Sequence, residues 1–143
     1  MKLKHFLSGV EHNQVHEAIR TAEDGTSGDI VLFISHKRVT DPVAAANNEF
    51  RKLRLDAAVD RNSLLIFVAP KSQTFAVVGG PALHEKVGQA WWDELIALLT
   101  RHFKAGDFTN GFVSAIKRAG VALRQHFPCE KQDRTGQKDI VEE

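Results

Sequence analysis

Residues 63–78 decide the fold: Ser63-Leu-Leu-Ile-Phe-Val-Ala69, then Pro70-Lys71-Ser72, then Gln73-Thr-Phe-Ala-Val-Val78. The first run is continuously apolar and rich in β-branched and aromatic types, which suits a strand buried on both faces. Pro-Lys-Ser forms a turn and a second strand-like run follows at once, so the pair predicts a β-hairpin closed off by Gly79-Gly80-Pro81. Upstream, Asp29-Ile-Val-Leu-Phe-Ile-Ser-His36 has the same character and predicts another doubly buried strand. Between them Thr40-Asp41-Pro42 opens a helix. Asp41 can accept from the free first-turn amides, and Pro42 stands at the first helical position, where its missing N–H costs little. Val43, Ala46, Phe50 and Leu53 line one face of that helix. The β-α-β step makes the two buried strands parallel, and the hairpin adds an antiparallel edge.

Outward from this centre the pattern is helical. Val15, Ala18, Ile19 and Ala22 recur at helical spacing within residues 11–24, before the turn-forming Asp24-Gly25-Thr26-Ser27-Gly28. After Gly80 come a short helix over 82–88 and a longer one over 89–104, the latter with Trp91, Leu95, Leu98 and Phe103 inward. Neighbours on a helix are about 100° apart, so Trp92 is expected to pack elsewhere. Lys104-Ala-Gly106-Asp107 breaks this helix. A last helix, capped by Thr109 or Asn110, runs to Phe127 with Phe112, Ala115, Ile116, Ala119 and Leu123 on one stripe. The fold predicted is an α/β three-layer α/β/α sandwich with a small mixed sheet, in the order α-β-α-β-β-α-α-α. Residues 1–128 form one domain. Residues 129–143, with three basic and five acidic side chains and only Ile140 and Val141 to bury, read as a disordered polar tail.

Composition sets the functional limits. The chain has 143 residues, 26% of them charged, and a formal net charge of +1. A single domain of this size is ordinary, and the balanced charge argues against a general nucleic-acid binder. One cysteine, Cys129, allows no internal disulfide and no thiolate zinc site; it reads as a spare surface thiol. The longest apolar run, Leu64 to Pro70, is far short of the ~20 residues of a spanning helix. The N-terminus lacks the apolar stretch of a signal peptide. The expectation is a cytoplasmic protein without direct membrane insertion.

Candidate chemistry clusters at one end of the sheet. Asp60-Arg61-Asn62 precedes the second strand and Gly79-Gly80 follows the third, and in an antiparallel pair these lie side by side. Asp60 and Asn62 offer metal-ligating oxygens, Arg61 a fork for phosphate, and Gly79 and Gly80 backbone amides beside a helix start. The simpler reading is a pair of capping turns. His12 and His16, four apart, can chelate zinc, though a solvated helix flank explains them as well. His36 with Lys37, Arg38 and Asp41 is an anion-site candidate at the opposite sheet end, though ordinary strand-end residues are the simpler reading. Gly79-Gly80-Pro-Ala-Leu-His-Glu-Lys86 lacks the spacing of a Walker loop. No Gly-x-Ser-x-Gly elbow accompanies any serine.

Several pieces taken in order resemble the TPM domain, named for a thylakoid lumen protein, a photosystem II repair protein and a modulator of acetylcholine receptors. They are Ala18-Ile19 with Ala22-Glu23 and Thr26-Ser27-Gly28-Asp29-Ile30; Asp41-Pro42 with Ala46 and Phe50; Arg61-Asn62-Ser63-Leu64-Leu65-Ile66; and Ala76-Val77-Val78-Gly79. Trp92, Phe103, Gly106-Asp107-Phe108 and Gly111-Phe112 complete the series. The resemblance spans Phe6 to Phe127 and is similar to the short, soluble bacterial type. It implies an α/β/α sandwich, phosphatase activity in some members and calcium binding in others, and it brings Asp107 toward the loop pair as a third metal candidate. Many relatives are acidic where this chain has Gly80, and the change removes a carboxylate that calcium would use. Three functions are carried forward. They are a binding or assembly module serving a membrane-bound relative or another protein, a phosphomonoesterase assisted by calcium or magnesium, and a regulatory calcium-binding domain.

Overall fold

The computed structural model describes residues 6–58, 60–130 and 139–143. Its helices are α1 (Gly9–Glu23), α2 (Pro42–Lys52), α3 (Pro81–Val87), α4 (Gln89–Lys104) and α5 (Phe108–His126). Its strands are β1 (Ile30–Ile34), β2 (Leu64–Ala69), β3 (Thr74–Gly79) and β4 (Ile140–Glu142), in the sheet order β3-β2-β1-β4. β1 runs parallel to β2 and to β4, and β2 pairs antiparallel with β3.

The continuous apolar runs are explained by the two layers that cover the sheet. Ile30, Leu32, Ile34, Leu64, Ile66 and Val68 face α1, α4 and α5, in a core with Ile19, Leu95, Leu99, Phe112 and Ile116. Val31, Phe33, Leu65 and Phe67 face α2 through Ala46 and Phe50. Alternate residues therefore bury on opposite sides, and every residue of β1 and β2 is buried. Asp41 caps α2, accepting the Ala44 amide at 3.1 Å ahead of Pro42. α1 begins earlier than its apolar stripe, because Ser8 and Glu11 form a reciprocal capping box.

Three expectations are corrected. Residues 139–143 are not a free tail. Ile140–Glu142 forms the edge strand β4 beside Leu32, Phe33 and Ile34, because the β1 edge offers unpaired main-chain groups and a short strand suffices to cover them. Residues 131–138 of that expected tail lie outside the described residues. The two tryptophans exchange roles: Trp92 is buried at 6% exposure on the face of Gly79, while Trp91 is half-buried. Without a side chain at Gly79 the Trp92 ring lies flush on β3. The last helix starts at Phe108 behind Asp107, and Thr109 instead donates to Glu11 at 2.8 Å. His36 sits 2.7 Å from Glu142 and His16 3.0 Å from Asp139, so both are taken up in holding β4 rather than in an anion or zinc site.

Candidate functional site

The loop end of the sheet, where β1 and β2 begin and β3 finishes, brings together the segments 26–30, 60–63 and 79–83. The 26–28 turn is anchored on α5. Thr26 Oγ1 donates toward the Leu123 and Phe127 carbonyls, 3.0 and 2.6 Å away, and accepts the Gly28 amide at 3.1 Å. A Cβ on Gly28 would meet the Leu123 side chain at 2.5 Å, so a larger residue here would have to push Leu123 aside. Below it, buried Glu23 accepts the Ile30 amide at 2.8 Å and secures the start of β1.

From this turn Ser27 reaches across to the second loop. Its Oγ donates to Asp60 Oδ2 at 2.5 Å and accepts from Asn62 Nδ2 at 3.0 Å. Asn62 is 1% exposed while Asp60 is exposed, so a buried amide holds a hydroxyl that holds a surface carboxylate. Arg61 lies between them in the left-handed region at φ 54°, with its side chain exposed. Its carbonyl turns inward and accepts the Ala82 and Leu83 amides at 3.0 and 3.3 Å. That carbonyl takes the place of the side-chain cap that α3 lacks.

This arrangement decides the fate of the sequence candidates. Asp60, Arg61 and Asn62 do meet, and Gly79 and Gly80 stand beside them. The Gly80 amide is not presented to an anion, however: it donates to the Ser63 carbonyl at 2.8 Å, and the Ala82 and Leu83 amides of α3 are held by Arg61. Gly79 stands opposite Leu64 in the sheet. The glycines serve close packing: a Cβ at Gly80 would stand 2.2 Å from the Arg61 carbonyl oxygen. Asp107 is not part of the cluster. Trp92, near the start of α4, rests on Gly79, and Phe103, near its end, meets Phe75 edge-on at 5.0 Å. A 16-residue helix is about 24 Å long, so Asp107 is carried to the far end of β3. There it lies 3.7 Å from His102 and accepts from Asn110 at 3.0 Å.

Sequence reading missed Ser27 as the link between the loops. Its signals were its place in a turn ahead of β1 and in the Thr26–Ile30 stretch of the resemblance, and nothing in the spacing of Ser27 and Asp60, 33 residues apart, announces their contact. Among the described residues no three His, Cys, Asp or Glu side chains gather to hold a metal ion. Here Asp60 provides one exposed carboxylate, and Asn62 a largely enclosed amide.

A family model described as the TPM domain matches residues 1–122. In structure the chain is similar to the BA42 protein of the psychrophilic bacterium Bizionia argentinensis, with 30% identity, 99% of both chains covered and a TM-score of 0.89. It also shares its fold with the N-terminal domain of the cg2496 protein of Corynebacterium glutamicum, at 13% identity and a TM-score of 0.65 over 96% of this chain and 82% of that one. The N-terminal domain of a P. gingivalis protein is similar at 13% identity and a TM-score of 0.67, covering 90% and 83%. No match was found among curated proteins.

Proposed function

The chain belongs to the TPM domain family, and from that premise we propose that it is a binding or assembly module whose recognition tip is the Asp60–Arg61 loop. The observation that carries this reading is the relay from buried Asn62 through Ser27 to Asp60. It holds one carboxylate in place at the surface beside an exposed guanidinium. A carboxylate fixed in this way recognises a complementary partner group without first being ordered, which lowers the entropic cost of binding. The partner in this reading is a membrane-bound relative or another protein. No described helix is long and apolar enough to cross a membrane.

Metal-assisted phosphomonoester hydrolysis is the second reading, favoured by the adjacency of a candidate cation ligand, Asp60, and a candidate phosphate clamp, Arg61. A divalent cation would supply charge neutralisation and an activated water. The donor set fits it poorly: calcium takes six to eight oxygens, against one exposed carboxylate and one amide oxygen in the loop. The experiment is a titration of the purified chain with calcium, magnesium and inorganic phosphate, followed by amide NMR, with a parallel assay on a generic phosphate monoester. The module reading expects no metal-dependent turnover, and any shifts on titration to be confined to Ser27 and residues 60–62. Robust metal-dependent turnover that disappears in Asp60→Asn would overturn it in favour of the enzyme.

A further inference from the structure

The outer face of α5 carries a second chemistry, remote from Asp60 in sequence and independent of it. α5 contains Lys117, Arg118, Arg124 and His126 and no acidic residue. Lys117, Val121 and Arg124 are exposed, and their i, i+4, i+7 spacing places them along one ridge. Val121, at the centre, is 58% exposed; Val43 is the one other large apolar side chain so exposed among the described residues.

Two depressions flank the ridge. One, of about 900 Å³, runs between α1 and α5, with Ala18, Ala22, Val113 and Val121 as its apolar part and Lys117 and Arg124 beside them. α1 and α5 approach closely at Gly120, where a Cβ would stand 2.7 Å from that of Ala22. The other, of about 510 Å³, is lined by Lys86, Trp91, Arg118 and His126, with no carboxylate among its described lining residues.

Little of this positive charge is neutralised locally. Arg118 pairs with Glu94 and lies 5.6 Å over the Trp91 ring. Arg124 donates to the Ala22 carbonyl at 3.2 Å, not to an acid. Among the described residues Lys86 and Lys117 make no ion pair. Glu17 also lines the first groove but faces Arg20 at 3.7 Å. Cations bordering an apolar strip raise the local concentration of acidic partners and fix their register.

We propose that this face docks an acidic amphipathic helix of a partner protein. Its apolar side chains would lie against Ala18, Val113 and Val121, and its carboxylates on Lys117 and Arg124. From Val113 to Arg124 the groove covers three helical turns, about 16 Å, and a channel between two helices accepts a third by ridge-into-groove packing. The strip is one side chain wide and apolar between its cations, which suits a helix better than the uniformly charged backbone of a nucleic acid. The formal net charge of only +1 for the whole chain gives little general attraction to an anionic membrane.

The test is amide NMR of the full chain with a three-heptad helical peptide bearing Leu and Ala on one face and Glu elsewhere. Its Lys-substituted counterpart, phosphatidylglycerol vesicles and duplex DNA are compared. Saturable shifts confined to α1 and α5 are expected with the Glu peptide. They should weaken about tenfold in Lys117→Glu and in Val121→Glu, with the remaining spectrum unchanged as proof of folding. No saturable shifts, shifts elsewhere, equal response to the Lys peptide, unchanged binding by both variants, or tighter binding to vesicles or DNA would each overturn the proposal.

Discussion

His36 Nε2 lies 2.7 Å from Glu142 Oε2, and that same oxygen accepts the Phe6 amide at 2.9 Å. One carboxylate therefore joins the N-terminal segment, the exit of β1 and the edge strand β4. His16 and Asp139 hold the other end of the strand at 3.0 Å. The main chain completes the attachment through Leu32 N–H to the Asp139 carbonyl at 2.9 Å, Glu143 N–H to Ile34 at 2.9 Å and His36 N–H to Glu143 at 2.7 Å.

Ending the chain at residue 138 should therefore destabilise the domain. The three main-chain hydrogen bonds at the ends of the strand alone, at about 0.5–1.5 kcal/mol net each, give an expected loss of about 1.5–4.5 kcal/mol. Urea unfolding of the full and shortened chains measures it. An unchanged midpoint would mean that β4 contributes nothing to folding in solution.

The tail shows where sequence reading stops. Ile140 and Val141 looked too few to dock because the apolar count ignores main-chain pairing, and an edge strand needs only three residues with polar clamps at either end. By contrast β1, β2 and the hairpin were legible, because a strand buried on both faces leaves an unbroken apolar run. Asp41-Pro42 was legible because capping is local. The Ser27–Asp60 link and the displacement of Asp107 were not, since both depend on how far a helix or crossover carries the chain. The Trp91–Trp92 exchange was invisible because it turns on the missing side chain of Gly79.

Glu11 ties the start of α1 to α5. Hydrogen bonds from the Ser8 amide, from Thr109 and from the Ser8 hydroxyl, in that order, stabilise its ionised form and lower its pKa from the ordinary 4.5. A carboxyl depressed in this way stabilises the fold above pH 4.5, and the contribution is lost as pH falls through the folded value. Glu11→Gln should thus melt below the wild type at neutral pH, with the gap closing below pH 4.5. Parallel melting curves at all pH values would contradict this.

Gly80→Ala is expected to cost about 1–3 kcal/mol, the range for forced overpacking. Its Cβ would meet the Arg61 carbonyl oxygen at 2.2 Å and the Asn62 nitrogen at 3.0 Å. Both are backbone atoms with no rotamer to yield, and Arg61 is already held at φ 54°. Because that carbonyl caps α3, the amide resonances of Ala82 and Leu83 should shift with the loss. A variant as stable as the wild type would show that the loop moves aside freely.

Ser27 makes the most specific prediction at the candidate site. In Ser27→Ala the Asn62 amide, 1% exposed, loses its acceptor, and leaving a buried donor unpaired costs about 1–3 kcal/mol. Asp60→Asn keeps an oxygen acceptor for Ser27 at an exposed position, so it should cost less. The two variants should also differ in binding. Asp60→Asn removes the charge and should abolish any ligand response of residues 60–62. Ser27→Ala keeps the charge but releases its position, so the response should weaken without vanishing. Unfolding midpoints and NMR titrations of both proteins read the two effects separately. Equal stability of Ser27→Ala and wild type would show that the relay does not hold the loop, and the case for a preformed recognition tip would fall with it.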